Sequence, residues 1–146
     1  MSAAPSAARS DEQQIIDLTI EYCWALDTGE HHRLADIFLP DGVAVYSGQP
    51  FEGVAAIQAK VSSALGPLDA SQHVVTNHQV RVEGDTARGR CYFQAQHVRR
   101  AAEGGPNWMV AGSYTDDYVR TEQGWRIRHR ALEVLWTDGN PRVARP

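Results

Sequence analysis

The sequence contains no apolar run near the roughly 20 residues that a membrane-spanning helix needs, which excludes a helical membrane protein. Lysine is almost missing. Lys60 is the single one in the chain, on what reads as a polar helix face, so Schiff-base chemistry has little to stand on. Cysteine is scarce too, and Cys23 and Cys91 both fall inside apolar patterns where a thiol behaves as a small buried hydrophobe; nothing supports a disulfide. Positive charge is in deficit: a net charge of -4 and a pI near 5.8 leave no basic face for nucleic acid. The amino end lacks a basic start followed by an apolar stretch. Met1 to Arg9, rich in Ala, Ser and Pro, therefore read as a disordered tail, with the cytoplasm as the default address.

The familiar signatures are missing as well. There is no HExxH, no GxGxxG, no Walker loop and no nucleophile elbow, so zinc-peptidase, nucleotide and serine-hydrolase chemistry have no starting point. The six histidines show no ligand spacing, and neither a metal nor a cofactor is expected.

What is present has the size and composition of one globular domain: 146 residues, 42% hydrophobic and 22% charged. Ser10 and Gln13 form a capping box, Ile16, Ile20 and Cys23 follow at helical spacing, and Gly29 marks the end of this first helix near Thr28. A short second helix with Leu34, Ile37 and Phe38 is expected to end at Pro40, where Pro40-Asp41-Gly42 makes a turn. Val43 to Tyr46 is strand-like, and Ile57, Val61 and Leu65 mark a third helix before Gly66-Pro67. From residue 70 on, segments rich in Val, Tyr, Phe, Trp and Thr alternate with turn signals, predicting long antiparallel strands over 71–82, 86–99, 108–120 and 125–136. Helices followed by a run of hairpins predict an α+β domain over 10–137, with a curved antiparallel sheet wrapped around the N-terminal helices, and a loose tail over 138–146.

The pattern breaks in informative places. The stripe Ile16, Ile20, Cys23 reaches Asp27 four residues on, a carboxylate on the face that should meet the sheet. The helix macrodipole disfavours a negative charge in the last turn, so a partner is expected, unless Asp27 faces water at a frayed end or bonds locally around Gly29. On the first long strand His73, Val75 and Asn77 share one face, and Val74, Thr76, His78, Val80 and Val82 the other. Neither face is uniformly apolar, which fits a pocket with a few fixed polar groups as well as a satisfied core histidine. Ala87, Gly89, Cys91, Phe93 and Ala95 line one face of the next strand with mostly small side chains, leaving room for a cavity. The inward parity of the last strand switches between Ile127 and Leu132, as a bulge would cause, and Arg130 at that switch either reaches inward or stays solvated on the outer face.

The order of elements, with Tyr22-Cys-Trp-Ala-Leu-Asp27, Phe38-Leu-Pro-Asp-Gly42, Ser71-Gln-His73-Val-Val-Thr-Asn77 and Gly124-Trp-Arg-Ile-Arg-His-Arg130, resembles the SnoaL-like branch of the nuclear transport factor 2-like superfamily. Within it the chain looks most like the group of scytalone dehydratase, lindane dehydrochlorinase and bile acid 7α-dehydratase. The resemblance implies a cone-shaped α+β barrel in which Asp27 pairs with His73, Tyr22 stands where the bile acid enzyme has a tyrosine, and Arg130 matches a recurrent arginine. It also implies a cofactor-independent dehydratase-like lyase or isomerase acting on a small apolar cyclic, steroid-like or polyketide-like substrate. The alternatives are a non-catalytic binding or assembly domain of the same fold and a dioxygenase β-subunit. Tyr22, Asp27, His73 and Arg130 are the candidate catalytic residues, and Trp24, Tyr46, Asn77 and Phe93 the candidate pocket. A homo-oligomer, dimer or trimer, is expected from aromatics such as Tyr92, Tyr114 and Tyr118, with Val110, on the outer sheet face.

Overall fold

The structure, a computed structural model, describes residues 8–145. Ser10 caps the first helix through its Oγ, which accepts the Gln13 N–H at 3.1 Å; α1 then runs Asp11–Asp27 and Gly29 turns the chain at φ +73°. The expected second helix is only a 3-10 helix, His31–Asp36. Ile37 and Phe38 leave it for the sheet, because the Ile37 carbonyl accepts the Ile127 N–H at 2.8 Å and Phe38 opens β1, Phe38–Tyr46. A short β2, Gln49–Glu52, and α2, Val54–Leu65, precede the four long strands: β3, Ala70–Glu83; β4, Thr86–Val98; β5, Asn107–Thr121; and β6, Gly124–Gly139.

The long strands form the expected antiparallel meander, and the full sheet order is β2-β1-β6-β5-β4-β3. The sheet is mixed rather than wholly antiparallel, since β1 lies parallel to β6, and it stays open at the β2 and β3 edges. This is a curved α+β architecture with α1 and α2 laid into it. The core gathers Ile15, Tyr22 and Leu26 of α1, Ile57 and Val61 of α2, and the inward rows of β4, β5 and β6.

Three bulges set the inner face. Asn77 adopts φ +58°, and the β3–β4 register shifts between Thr76 and Gln79. The shift puts His73 and Val75 on the same side as His78, Val80 and Val82, which explains why simple alternation found no apolar face. On β6 the register skips Arg128, so Ile127 and Arg130 both point inward. The third shift lies at Gly112, where any Cβ would run into the Glu133 carbonyl oxygen, and only glycine allows the strands to approach.

Two expectations are corrected. Tyr114, Tyr118 and Val110 are not on the outer face: they are directly opposite Cys91, Ala87 and Ala95, and paired residues share a face, so the small side chains of β4 make room for the rings inside. Tyr92 alone of that set is exposed. The carboxyl end is not loose throughout, because Asp138 still pairs with Met109, Val143 is fully buried, and Arg99 Nε donates to the Val143 carbonyl at 3.0 Å. Of the expected N-terminal tail, residues 1–7 lie outside the described residues, as does 146 at the other end; Arg9 is ion-paired with Asp17.

Candidate functional site

Asp27, at the end of α1, faces β3. Its Oδ1 is 2.6 Å from His73 Nδ1 and accepts the Ser71 hydroxyl at 3.0 Å, while Oδ2 accepts the His73 backbone N–H at 2.7 Å. Three donors on one carboxylate offset the unfavourable end of the helix dipole. Because a carboxylate only accepts, Nδ1 carries the proton and Nε2 is left with its lone pair. The His73 side chain is almost wholly buried, with 7% of its surface exposed.

His73 lines an interior cavity of about 220 Å³. Tyr22, Phe93 and Tyr114 form buried walls, Tyr46 adds a further ring, and Ser47, Lys60, Ala64 and Val134 are the exposed rim. The Tyr22 and Tyr46 hydroxyls are 2.7 Å apart, and burial raises the pKa of both, so both are phenols at neutral pH. One of their two protons bridges the pair, and the other is free to be donated.

Five sequence-predicted residues thus come together here: Asp27 and His73 in contact, Tyr22 with Tyr46, and Phe93 in the wall. Arg130 does not line the cavity. It is fully buried, donates to both oxygens of Asp116 (Nε to Oδ1 2.8 Å, Nη2 to Oδ2 2.9 Å), and its guanidinium lies 3.9 Å from the Tyr114 ring centre and 4.4 Å from that of Tyr22. Asp116 thus matches the charge of this candidate catalytic residue, while Arg130 Nη1 has no hydrogen-bond partner among the described residues. Trp24 is 57% exposed on the outer side of α1, because the helix buries Cys23 and Leu26 instead; it lines, with Asp27 and His73, a separate depression of about 400 Å³. Asn77 is turned by its own bulge onto the rim of a depression of about 620 Å³ on the sheet's outer side, together with Arg90 and Tyr92. That depression is larger than the cavity beside His73 and, among the described residues, holds no hydrogen-bonded pair of titratable groups.

His97, Trp108 and Lys60 are among the lining residues that escape the sequence reading. His97 continues the row Cys91, Phe93, Ala95 by one more step of two, and its register partner Trp108 follows from the pairing. Its Nδ1 donates to the Trp108 carbonyl at 3.1 Å, which leaves Nε2 as the lone-pair nitrogen, and its ring centre is 6.1 Å from that of His73. Burial lowers its pKa. Lys60 stands three residues after Ile57, on the flank of the apolar stripe of α2, and so reaches the rim.

The two thiols are inert by environment: burial pushes Cys23 up to about 12 and Cys91 up to about 11. Among the described residues no three His, Cys, Asp or Glu side chains gather as a metal site, and no helix is long and apolar enough to cross a membrane.

The SnoaL-like domain family matches residues 7–131. Rv2910c, an uncharacterized protein of Mycobacterium tuberculosis, is 32% identical over 126 residues, covering 83% of each chain. Terrestric acid biosynthesis cluster protein E of Penicillium crustosum is 29% identical over 140 residues, 91% of this chain and 88% of that one. Among solved structures, the Kfla4162 protein of Kribbella flavida superposes with a TM-score of 0.85 at 26% identity, covering 93% of this chain and 97% of that one. A hexachlorocyclohexane dehydrochlorinase, LinA type 2, superposes with a TM-score of 0.77 at 21% identity, with 86% of each chain covered; at that identity the likeness is one of fold.

Proposed function

The chain belongs to the SnoaL-like domain family, and from that footing we propose that it is a cofactor-independent lyase of dehydratase type, or an isomerase, acting on a small cyclic compound. One observation supports the reading: a carboxylate-oriented imidazole, His73 with Asp27, stands on the wall of an apolar cavity.

In this mechanism His73 Nε2 takes a proton from the carbon next to a substrate carbonyl. The electron pair moves onto the carbonyl oxygen, and the Tyr22–Tyr46 pair donates its free proton as a hydrogen bond to the developing enolate. Asp27 stabilises the imidazolium that forms. Elimination follows when the enolate collapses to a conjugated double bond and expels hydroxide from the next carbon; the proton on His73 joins it, so water leaves and the base is regenerated. Isomerisation differs only in the last step, as the proton returns to another carbon. His97, neutral and fixed in tautomer, stands near enough to His73 to orient the leaving group.

The dehydrochlorinase and the biosynthesis-cluster protein among its relatives support small-molecule chemistry in this fold. The test is a panel of cyclic β-hydroxy ketones followed in the ultraviolet. Enone absorbance appearing faster with the protein than without it supports the lyase; saturable binding of the ketones with no chemical change would make the domain a binding module.

A further inference from the structure

The interior cavity has one formally charged side chain on its walls, Lys60, and no Asp or Glu. This matters because the other cation nearby, Arg130, is held by Asp116 in a two-point pair and lies behind the Tyr22 and Tyr114 rings. Lys60 has no ion-pair partner among the described residues; its Nζ hovers 5.6 Å from the Phe51 ring centre. It is also the chain's single lysine, in a protein of net charge -4, so the rim of the cavity is locally positive against an acidic background. The deep end is different: Tyr22, Phe93 and Tyr114 are buried, Phe93 and Tyr114 stack at 4.6 Å, and the fixed polar groups are the imidazoles and phenols.

A cavity with an apolar, aromatic floor and one unpaired ammonium at its mouth is complementary to an amphipathic mono-anion. Building on the functional reading above, we infer that the ligand is a small ring compound carrying a single carboxylate-like acidic group, with the ring against Phe93 and Tyr114 and the anion at Lys60. Lys60 is then a specificity-determining residue. It selects acid over neutral analogue and sets which end of the ring system enters first, delivering the carbon beside the carbonyl to His73.

The test uses two probes of the same shape, 2-naphthoate and 2-naphthamide, with affinities read by calorimetry on the wild type, Lys60→Met and Lys60→Arg. The wild type should prefer the naphthoate by about two- to fivefold, the range expected of one exposed ion pair at a cavity mouth. Lys60→Met should erase that preference by weakening the naphthoate alone, and Lys60→Arg should keep most of it. In the wild type, raising sodium chloride should weaken the naphthoate and leave the amide unchanged, a result that needs no variant to fold. Equal affinity for the two probes in the wild type, or an undiminished preference in Lys60→Met, would overturn the assignment while the cavity and its dyad stood. Failure of both probes to bind would remove the cavity as a ring-compound site altogether. Failure of the lyase reading is seen separately, as absent chemistry with the naphthoate preference intact.

Discussion

His73 Nδ1 stands 2.6 Å from Asp27 Oδ1 across 46 residues of sequence, joining the end of α1 to the edge strand β3. The same carboxylate accepts the His73 backbone N–H, so the ring and its main chain are gripped together.

Asp27→Asn places an amide N–H where a donor already points. The expected outcome is a fall of roughly two to four powers of ten in turnover, from loss of the tautomer and of imidazolium stabilisation, with the fold retained. Kinetics alongside circular dichroism check it; near wild-type turnover would mean that the carboxylate is only structural.

The hydroxyls of Tyr22 and Tyr46 act as one donor in the proposed mechanism. Tyr22→Phe should lower turnover by about a hundredfold, and the double change with Tyr46→Phe should cost little more, because groups that share a proton are not additive. Fully multiplicative losses in that cycle would contradict a shared role.

Arg130 and Asp116 are a structural pair. Leaving the guanidinium alone in the core, as in Asp116→Ala, should cost about 3–5 kcal/mol of stability, while replacing both by apolar residues of similar volume should cost much less. Denaturant unfolding measures both. An Asp116→Ala protein of unchanged stability would return Arg130 to the list of ligand-binding residues.

Acid should destabilise the fold through two histidines. Burial lowers the pKa of His97, which faces His73 and Asp27; burial, then the Arg130 charge, lowers that of His78, which faces Asp116 too. The unfolded chain, whose histidines titrate near 6.5, therefore binds protons first as pH falls. Their contribution is complete above that value and is lost as pH drops from it through the lowered folded values. Melting temperature should decline between about pH 7 and 5. His97→Asn, which can still donate to the Trp108 carbonyl, and His78→Gln, which can still reach Thr19 Oγ1, should flatten the decline.

Much of this was readable from residues. The misfit of Asp27 on an apolar stripe, and of His73 on its strand, marked both residues as unusual; their pairing came from the family resemblance. Phe93 followed from strand parity, and Tyr22 from the family resemblance. What failed did so through non-local geometry. Trp24 looks like wall from composition, yet rotation of α1 onto Cys23 and Leu26 leaves it exposed, lining a depression with Asp27 and His73 rather than the cavity itself. Asn77 shared a face with His73 only under unbroken alternation, and its own left-handed backbone breaks that alternation. Arg130 was rightly placed near a bulge, but Asp116, its partner, carried no local signal, because the two meet only once β5 and β6 are in register.

The most direct test of the mechanism is deuterium uptake from heavy water at the carbon beside the carbonyl of a bound cyclic ketone, followed by mass spectrometry. That step is common to elimination and isomerisation. His73 as the base predicts exchange well above the uncatalysed rate with the wild type and a return to that rate in a folded His73→Ala protein; exchange that His73→Ala leaves undiminished would contradict it.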